Sequence, residues 1–199
     1  GVPVPEFRPI WTLDEGRSAV NEMTLPLVIK PCDNMGARGV RKIESLDDLI
    51  PAFREAKEAS ISGKLILESF MDGPELSLDA LVHEDDIHIT GVADRIIERA
   101  PYFVEIGHTL PSALPADQQA GAVAVFKQAI IALGIDIGAA KGDIKITPDG
   151  PKIVEIAARL SGGWMSAYTY PLSTGVNLYK AAIQIALGEE PGDLTAKTS

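Results

Sequence analysis

The chain has 199 residues and a formal net charge of −10, and 46% of its residues are apolar. That is enough to build a core for one domain or two small subdomains. It excludes a membrane-spanning helix, since no apolar run approaches the ~18 residues needed, and a nucleic-acid surface, which requires a basic stripe. A small anionic ligand is not excluded, because local cations or a metal override net charge. The opening GVPVPEF has no basic segment followed by an apolar stretch, so no signal peptide is expected. Cys32 stands alone and cannot form an internal disulfide, which fits a reducing compartment, the cytoplasm.

In chain order, Thr12 with Glu15 reads as a capping box that opens a helix to about Asn21. Leu27 to Lys30 predicts a short strand cut by Pro31, and Gly39 to Ile43 a second strand. Ser45 with Asp48 caps a helix to about Ser60, and Lys64 to Glu68 is a strand. From Glu75 to Val82 the residues alternate, with Leu76, Leu78 and Ala80 on one face and Glu75, Ser77 and Asp79 on the other. After Glu84-Asp85-Asp86 a partner strand runs through Ile87, Ile89 and Val92. Val123, Phe126, Ile130 and Leu133 mark a helix from Ala116 to Leu133, with Gly134 just past its end. Two strands, about 140–147 and 151–158, flank Pro148-Asp149-Gly150, and Asn177 caps a last helix that ends at Gly188. Hairpins dominate this order, which predicts an α+β fold rather than a doubly wound parallel sheet.

The 148–150 hairpin is the most informative feature. A three-residue loop sets Thr147 opposite Pro151, Lys145 opposite Ile153 and Asp143 opposite Glu155. Alternation then gathers Lys141, Asp143, Lys145, Glu155, Ala157 and Arg159 on one face. Gly142, Ile144, Ile146, Val154, Ile156 and Ala158 share the other, apolar face. Two carboxylates directly opposite each other repel. A divalent cation between them removes the penalty, and Mg²⁺ favours one or two carboxylates plus phosphate oxygens. A solvated face with Lys141 and Lys145 neutralising the acids is the other reading.

A second candidate is PLVIKPCDNMGARGV, residues 26 to 40. It carries a lysine and glycines near an apolar run, as a phosphate loop does. Here, however, Lys30 stands before the glycines, at a strand end, and the loop joins two strands rather than a strand and a helix.

Lys30 before a glycine loop, then Glu68-Ser-Phe-Met-Asp-Gly-Pro-Glu75, then Asp143 twelve residues before Glu155-x-x-x-Arg159, resembles the ATP-grasp superfamily. The resemblance runs along almost the whole chain. It is nearest to the carbamoyl-phosphate-synthase-like and amino-acid-ligase branches, through GHTLPSALP and TPDGPKIVEIAARLSGG. It implies two α+β subdomains with mostly antiparallel sheets, 1–64 bearing the flap and 65–199 bearing the metal and phosphate site, which grip a nucleotide between them.

The cofactors implied are ATP and Mg²⁺ or Mn²⁺. Lys30 would reach the phosphates, and Gly36, Ala37, Arg38 and Gly39 would cover them as a flap. Glycine suits such a flap because it allows close backbone approach and positive φ. Glu68 and the backbone at Phe70 and Met71 would meet the adenine edge, and Glu75 the ribose. Asp143 and Glu155 map onto the family's metal ligands, and Arg159, with Lys141, onto the catalytic groups beside the transferred phosphate. Arg95, His108, Ser161, Gly162 and Gly163 are the candidates for the acceptor substrate, of which His108 lies in GHTLPSALP. Cys32 reads as incidental, since no base stands near it in the sequence.

The sequence departs from the family in two places. Ala157 stands where the family usually has Asn two residues after the second acid, so a two-metal site lacks one contact. The family's earlier lysine and a preceding α/β domain of roughly 100 residues lie upstream of the segment where this sequence begins. The activity implied is an ADP-forming carboxylate–amine ligase working through an acyl phosphate. Its partners would be a small carboxylate, an amine or ammonia, and the upstream domain or a partner chain. A non-catalytic ATP-binding module that regulates a larger protein is the alternative.

Overall fold

The structure, a computed structural model, describes residues 1–84 and 86–197. Asp85, in the predicted acidic turn, lies outside the described residues. The chain divides into two compact units: one of residues 5–71 and 97–106, the other of 1–4, 72–96 and 107–199.

The first unit begins with β1 (Phe7–Ile10), followed by α1 (Leu13–Glu22), β2 (Leu27–Pro31), β3 (Arg41–Ile43), α2 (Leu46–Ala59) and β4 (Leu65–Ser69). Both helices start where local chemistry dictates. Thr12 accepts from the Glu15 N–H while Glu15 reaches back, and at the second helix the Asp48 carboxylate accepts from the Ser45 N–H and hydroxyl. The strands form an antiparallel sheet in the order β1-β4-β2-β3. One face packs Ile10, Leu27, Ile29, Ile43, Leu65 and Leu67 against Ala19, Val20, Leu49, Ala52 and Ala56 of the helices. Because β4 is paired along both edges, it belongs to this unit, and the division falls after Met71 rather than at residue 64. β1 is a strand that sequence patterning did not show.

The second sheet has the order β7-β6-β5-β8-β9, from β5 (Glu75–His83), β6 (Asp86–Glu98), β7 (Val104–Thr109), β8 (Gly138–Thr147) and β9 (Gly150–Ala157). Arg95 lies inside β6 and His108 inside β7, which neighbour each other in the sheet. α3 (Ala116–Ala132) covers one face of the sheet. Its Ala122, Val125, Phe126, Ala129 and Ile130 pack on Leu76, Leu78, Ala80, Val82, Ile144 and Ile153. Leu133, expected on that apolar face, is the exposed C-cap.

The other face is covered by a π-helical turn (Met165–Thr169), α4 (Tyr170–Thr174) and α5 (Leu178–Ala186). Tyr170, Leu178, Ala181 and Ile185 pack there with Leu81 and Ala93. β5 is therefore buried on both faces from Glu75 to Val82, although its alternation predicts one face toward water. Tyr170 packs the Cδ1–Cε1 side of its ring against Gly91, where a methyl group would come within 2.0 Å of the ring.

Candidate functional site

The hairpin β8–β9 reaches the predicted pairing by a different route. The turn contains two residues, Pro148 and Asp149, so Thr147 pairs with Gly150, Lys145 with Lys152 and Ile144 with Ile153. A β-bulge at Val154 then restores Asp143 opposite Glu155, Gly142 opposite Ile156 and Lys141 opposite Ala157. Two expected pairings fail here: Thr147 faces Gly150 rather than Pro151, and Lys145 faces Lys152 rather than Ile153, which belongs to the apolar core and faces Ile144. The bulge is what lets Ile153 and Ile156, three residues apart, both pack on that core.

Asp143 is 1% exposed and pairs with two cations. Lys141 holds its Oδ2, and Arg95 Nη1 lies 3.1 Å from the same atom. Oδ1 is buried with no hydrogen-bond partner. An unsatisfied buried carboxylate oxygen is costly, and its position calls for a cation or donor from outside the chain. Glu155 is more than half exposed, and Arg159 Nη2 lies 3.7 Å from its Oε1. Hard divalent cations take oxygen ligands from carboxylates, so this donor pair fits Mg²⁺ or Mn²⁺.

Along the same face of the sheet, Glu75 is 7% exposed; Arg95 holds one of its oxygens and Lys145 Nζ lies 3.1 Å from the other. Pairing across β5 supplies this contact, since Glu75 is opposite both Arg95 and Lys145. Asp79 is wholly buried. It accepts from the Ser161 hydroxyl, from Ser166 Oγ at 2.6 Å and from the Ser161 N–H at 3.4 Å. Burial raises its carboxyl above the usual range, against the pull of those serines and of Lys141. Sequence reading placed Asp79 on this face but missed its role, because its partners lie more than eighty residues away. Ser161 is buried on Asp79, so the carboxylate it holds is the chain's own, while Gly162 and Gly163 are exposed. His108 is half-buried in β7.

In the first unit, Lys30 and Glu68 form an ion pair on the sheet face opposite the core. Their register puts Glu68 opposite Val28 and Lys30 two residues on, so the two side chains share a face. Lys42, opposite Val28 on β3, lies with its Nζ 4.3 Å from the Phe70 ring centroid. The Phe70 N–H donates to Pro26 O at 3.0 Å, and Met71 is half-buried.

The loop from β2 to β3 is anchored at its base. Asp33 accepts from Ser62 N at 2.5 Å, Ser60 Oγ at 2.8 Å and Ile61 N at 3.2 Å; Asn34 Nδ2 donates to Ala59 O at 2.6 Å. The Ser62 hydroxyl and N–H lead in holding the Asp33 carboxyl down to about 2, with Ser60 and Ile61 adding to them. Gly36, Ala37 and Gly39 all have positive φ. Open space surrounds Gly36, whereas a methyl group at Gly39 would meet Ala59 Cβ at 2.8 Å. The exposed tip is therefore Met35 to Arg38, while Gly39 of the expected flap is packed against α2. Cys32 is exposed, and partial burial of its thiol raises it above the ordinary range.

Residues 23–168 match the family model for the ATP-grasp domain, and the chain belongs to the ATP-grasp family. It is 34% identical over 131 residues to carnosine synthase 1 of Gallus gallus, covering 64% of this chain and 14% of that protein. To the carbamoyl phosphate synthase large chain of Corynebacterium glutamicum it is 28% identical over 200 residues, covering 97% and 17%. Its structure superposes on the L-amino acid ligase from Bacillus licheniformis with a TM-score of 0.83 and 26% identity, covering 98% of this chain and 48% of that one. The chain thus spans less than half the length of each of these relatives. It is an ATP-grasp domain, α+β with two antiparallel sheets, related to ligases such as these. Among the described residues no helix is long and apolar enough to cross a membrane.

Proposed function

We propose that this chain is the ATP-binding domain of an ADP-forming carboxylate–amine ligase. A substrate carboxylate oxygen attacks the γ-phosphorus of ATP, ADP leaves, and an acyl phosphate forms. An amine or ammonia then attacks the acyl carbon, phosphate leaves, and the amine proton passes to solvent. Because the chain spans under half of each relative, the complete reaction is proposed for this domain in company with a further domain or a partner chain.

The observation that carries this reading is the buried, partnerless Oδ1 of Asp143 directly opposite Glu155. Mg²⁺ or Mn²⁺ would be held by these two residues and would supply neutralisation of phosphate oxygens. The chain's own residues do the rest by position and charge. Lys30 offsets phosphate charge after giving up Glu68, and the backbone N–H groups of residues 36–39 cover the phosphates. Glu68 and the Phe70–Met71 backbone line the adenine, and Glu75 the ribose. Arg159 and Lys141 stand at the metal carboxylates to offset charge on the transferred group. Gly162, Gly163, His108 and Arg95 serve the acceptor.

The test is ADP release by the chain together with that further domain or partner chain, with Mg-ATP, a panel of small carboxylic acids and a panel of amines. ADP that depends on both, and that falls at least tenfold in Glu155→Gln and in Lys30→Ala, supports the reading. Mg-ATP binding, seen as a thermal shift, with no turnover would instead make this a binding module. Neither binding nor turnover by the folded chain refutes both.

A further inference from the structure

We infer that Lys141 is a built-in cation of the metal site, occupying one oxygen of Asp143 and limiting the site to a single divalent ion. The inference rests on the reading of Asp143 and Glu155 as metal ligands. Three observations carry it. Lys141 pairs across the hairpin with Ala157, whose methyl group offers neither a ligand atom nor bulk. The lysine is 8% exposed, and its ammonium bonds Asp143 Oδ2, which Arg95 Nη1 also approaches at 3.1 Å, so it is not a solvent-facing side chain. Asp143 Oδ1, by contrast, is buried and without a partner.

The remaining carboxylates on this face have their oxygens taken. Glu75 is held by Arg95 and Lys145, and Asp79 by Ser161 and Ser166. Beyond Glu155, the polar positions of β9 and its exit are Ala157 and then the cationic Arg159. The oxygens left for a cation are Asp143 Oδ1 and the half-exposed carboxylate of Glu155, which lies 3.7 Å from Arg159. Two carboxylate ligands suffice for one ion that completes its shell with water and phosphate. They do not suffice for two ions beside a fixed ammonium. Lys141 supplies the second positive charge permanently, without metal.

Mn²⁺ titration of the intact chain by calorimetry tests this, without nucleotide and with the non-hydrolysable ATP analogue AMPPNP. His83, Glu84 and Glu190 bring ligand atoms within 4.8 Å of one another elsewhere on the surface. The Mn²⁺ counted is therefore the share that Asp143→Asn removes. One Mn²⁺ per chain is expected under both conditions. Lys141→Met, which keeps the stem and removes the charge, should bind that ion at least tenfold more tightly, and Lys141→Arg should keep the original affinity. Two Mn²⁺ per unmodified chain overturn the inference. So does unchanged or weaker affinity in a Lys141→Met variant that melts cooperatively. If that variant does not fold, the stoichiometry of the unmodified chain still decides. Mn²⁺ binding that Asp143→Asn leaves untouched refutes the metal reading itself, and the inference with it.

Discussion

Replacing Asp79 separates two roles that a buried carboxylate can have, as a charge and as an acceptor. It receives two hydroxyl donors and, more weakly, a backbone N–H, all from the segment that follows β9. Asp79→Ala removes every acceptor and strands the buried Ser161 and Ser166 hydroxyls. At about 1.5–3 kcal/mol for each strong bond to a charged group, less the relief of no longer burying a carboxylate, the net loss is about 3 kcal/mol. For a chain of this size that lowers the melting temperature by about 6–12 °C. Asp79→Asn behaves differently. Its carbonyl oxygen accepts from Ser166 and the Ser161 N–H, and its amide donates to the Ser161 hydroxyl, which also accepts.

The asparagine variant should therefore stay within about 1 kcal/mol of the parent. Because burial raises the folded-state carboxyl, the parent's stability from this group is fully present below the ordinary carboxylate pKa. It is lost as pH rises through the raised value, so Asp79→Asn should gain on the parent with rising pH. Urea unfolding of the three chains between pH 4 and 8 reads both effects. An asparagine variant as unstable as the alanine variant would show that the negative charge itself is required, and the acceptor argument would fail.

Gly91→Ala should cost about 1–3 kcal/mol by overpacking, because the added methyl group collides with the Tyr170 ring, which is held by its hydroxyl on Ser77 O at 3.2 Å; a melting temperature equal to the parent's would show that α4 shifts freely. Asp33, held near 2, should contribute its anchoring above the ordinary carboxylate pKa of about 4 and lose it as pH falls to about 2. An NMR titration midpoint near 4 would disprove that anchor. Amides at the 36–38 tip should exchange faster than those of β2 and slow on adding Mg-ATP; strong protection in the free chain would identify a rigid turn instead.

Features whose cause is local were legible in the sequence. The capping boxes at Thr12 and Ser45 need only three residues, and α3 shows itself by apolar spacing and its terminal Gly134. Features that depend on distant partners were not. β1 and β7 are edge strands at the ends of their sheets, with weak patterns of their own. The π-helical turn and α4 follow a glycine pair and contain Pro171, both of which argue against a helix locally. Their stability comes from Tyr170 and Met165 buried on the sheet. The burial of β5 on both faces hid behind an alternation that half-buried strands usually show. At the site, the opposition of Asp143 and Glu155 was legible, whereas the grip of Asp79 on Ser161 joins residues too far apart for any pattern to report.

The β8–β9 hairpin behaves like a text with two frameshifts that cancel. The short turn moves the register by one residue, and the extra Val154 moves it back before Glu155 is reached. The phase of everything beyond the bulge is thus set by both features jointly, and either one alone would read Glu155 into the apolar core and an isoleucine onto the metal face. Deletion of Val154 should leave every other pair in place, Ile144 with Ile153 and Asp143 with Glu155, whereas pairing Val154 as an ordinary strand residue opposite Asp143, with the two-residue turn kept, should turn Glu155 toward the core.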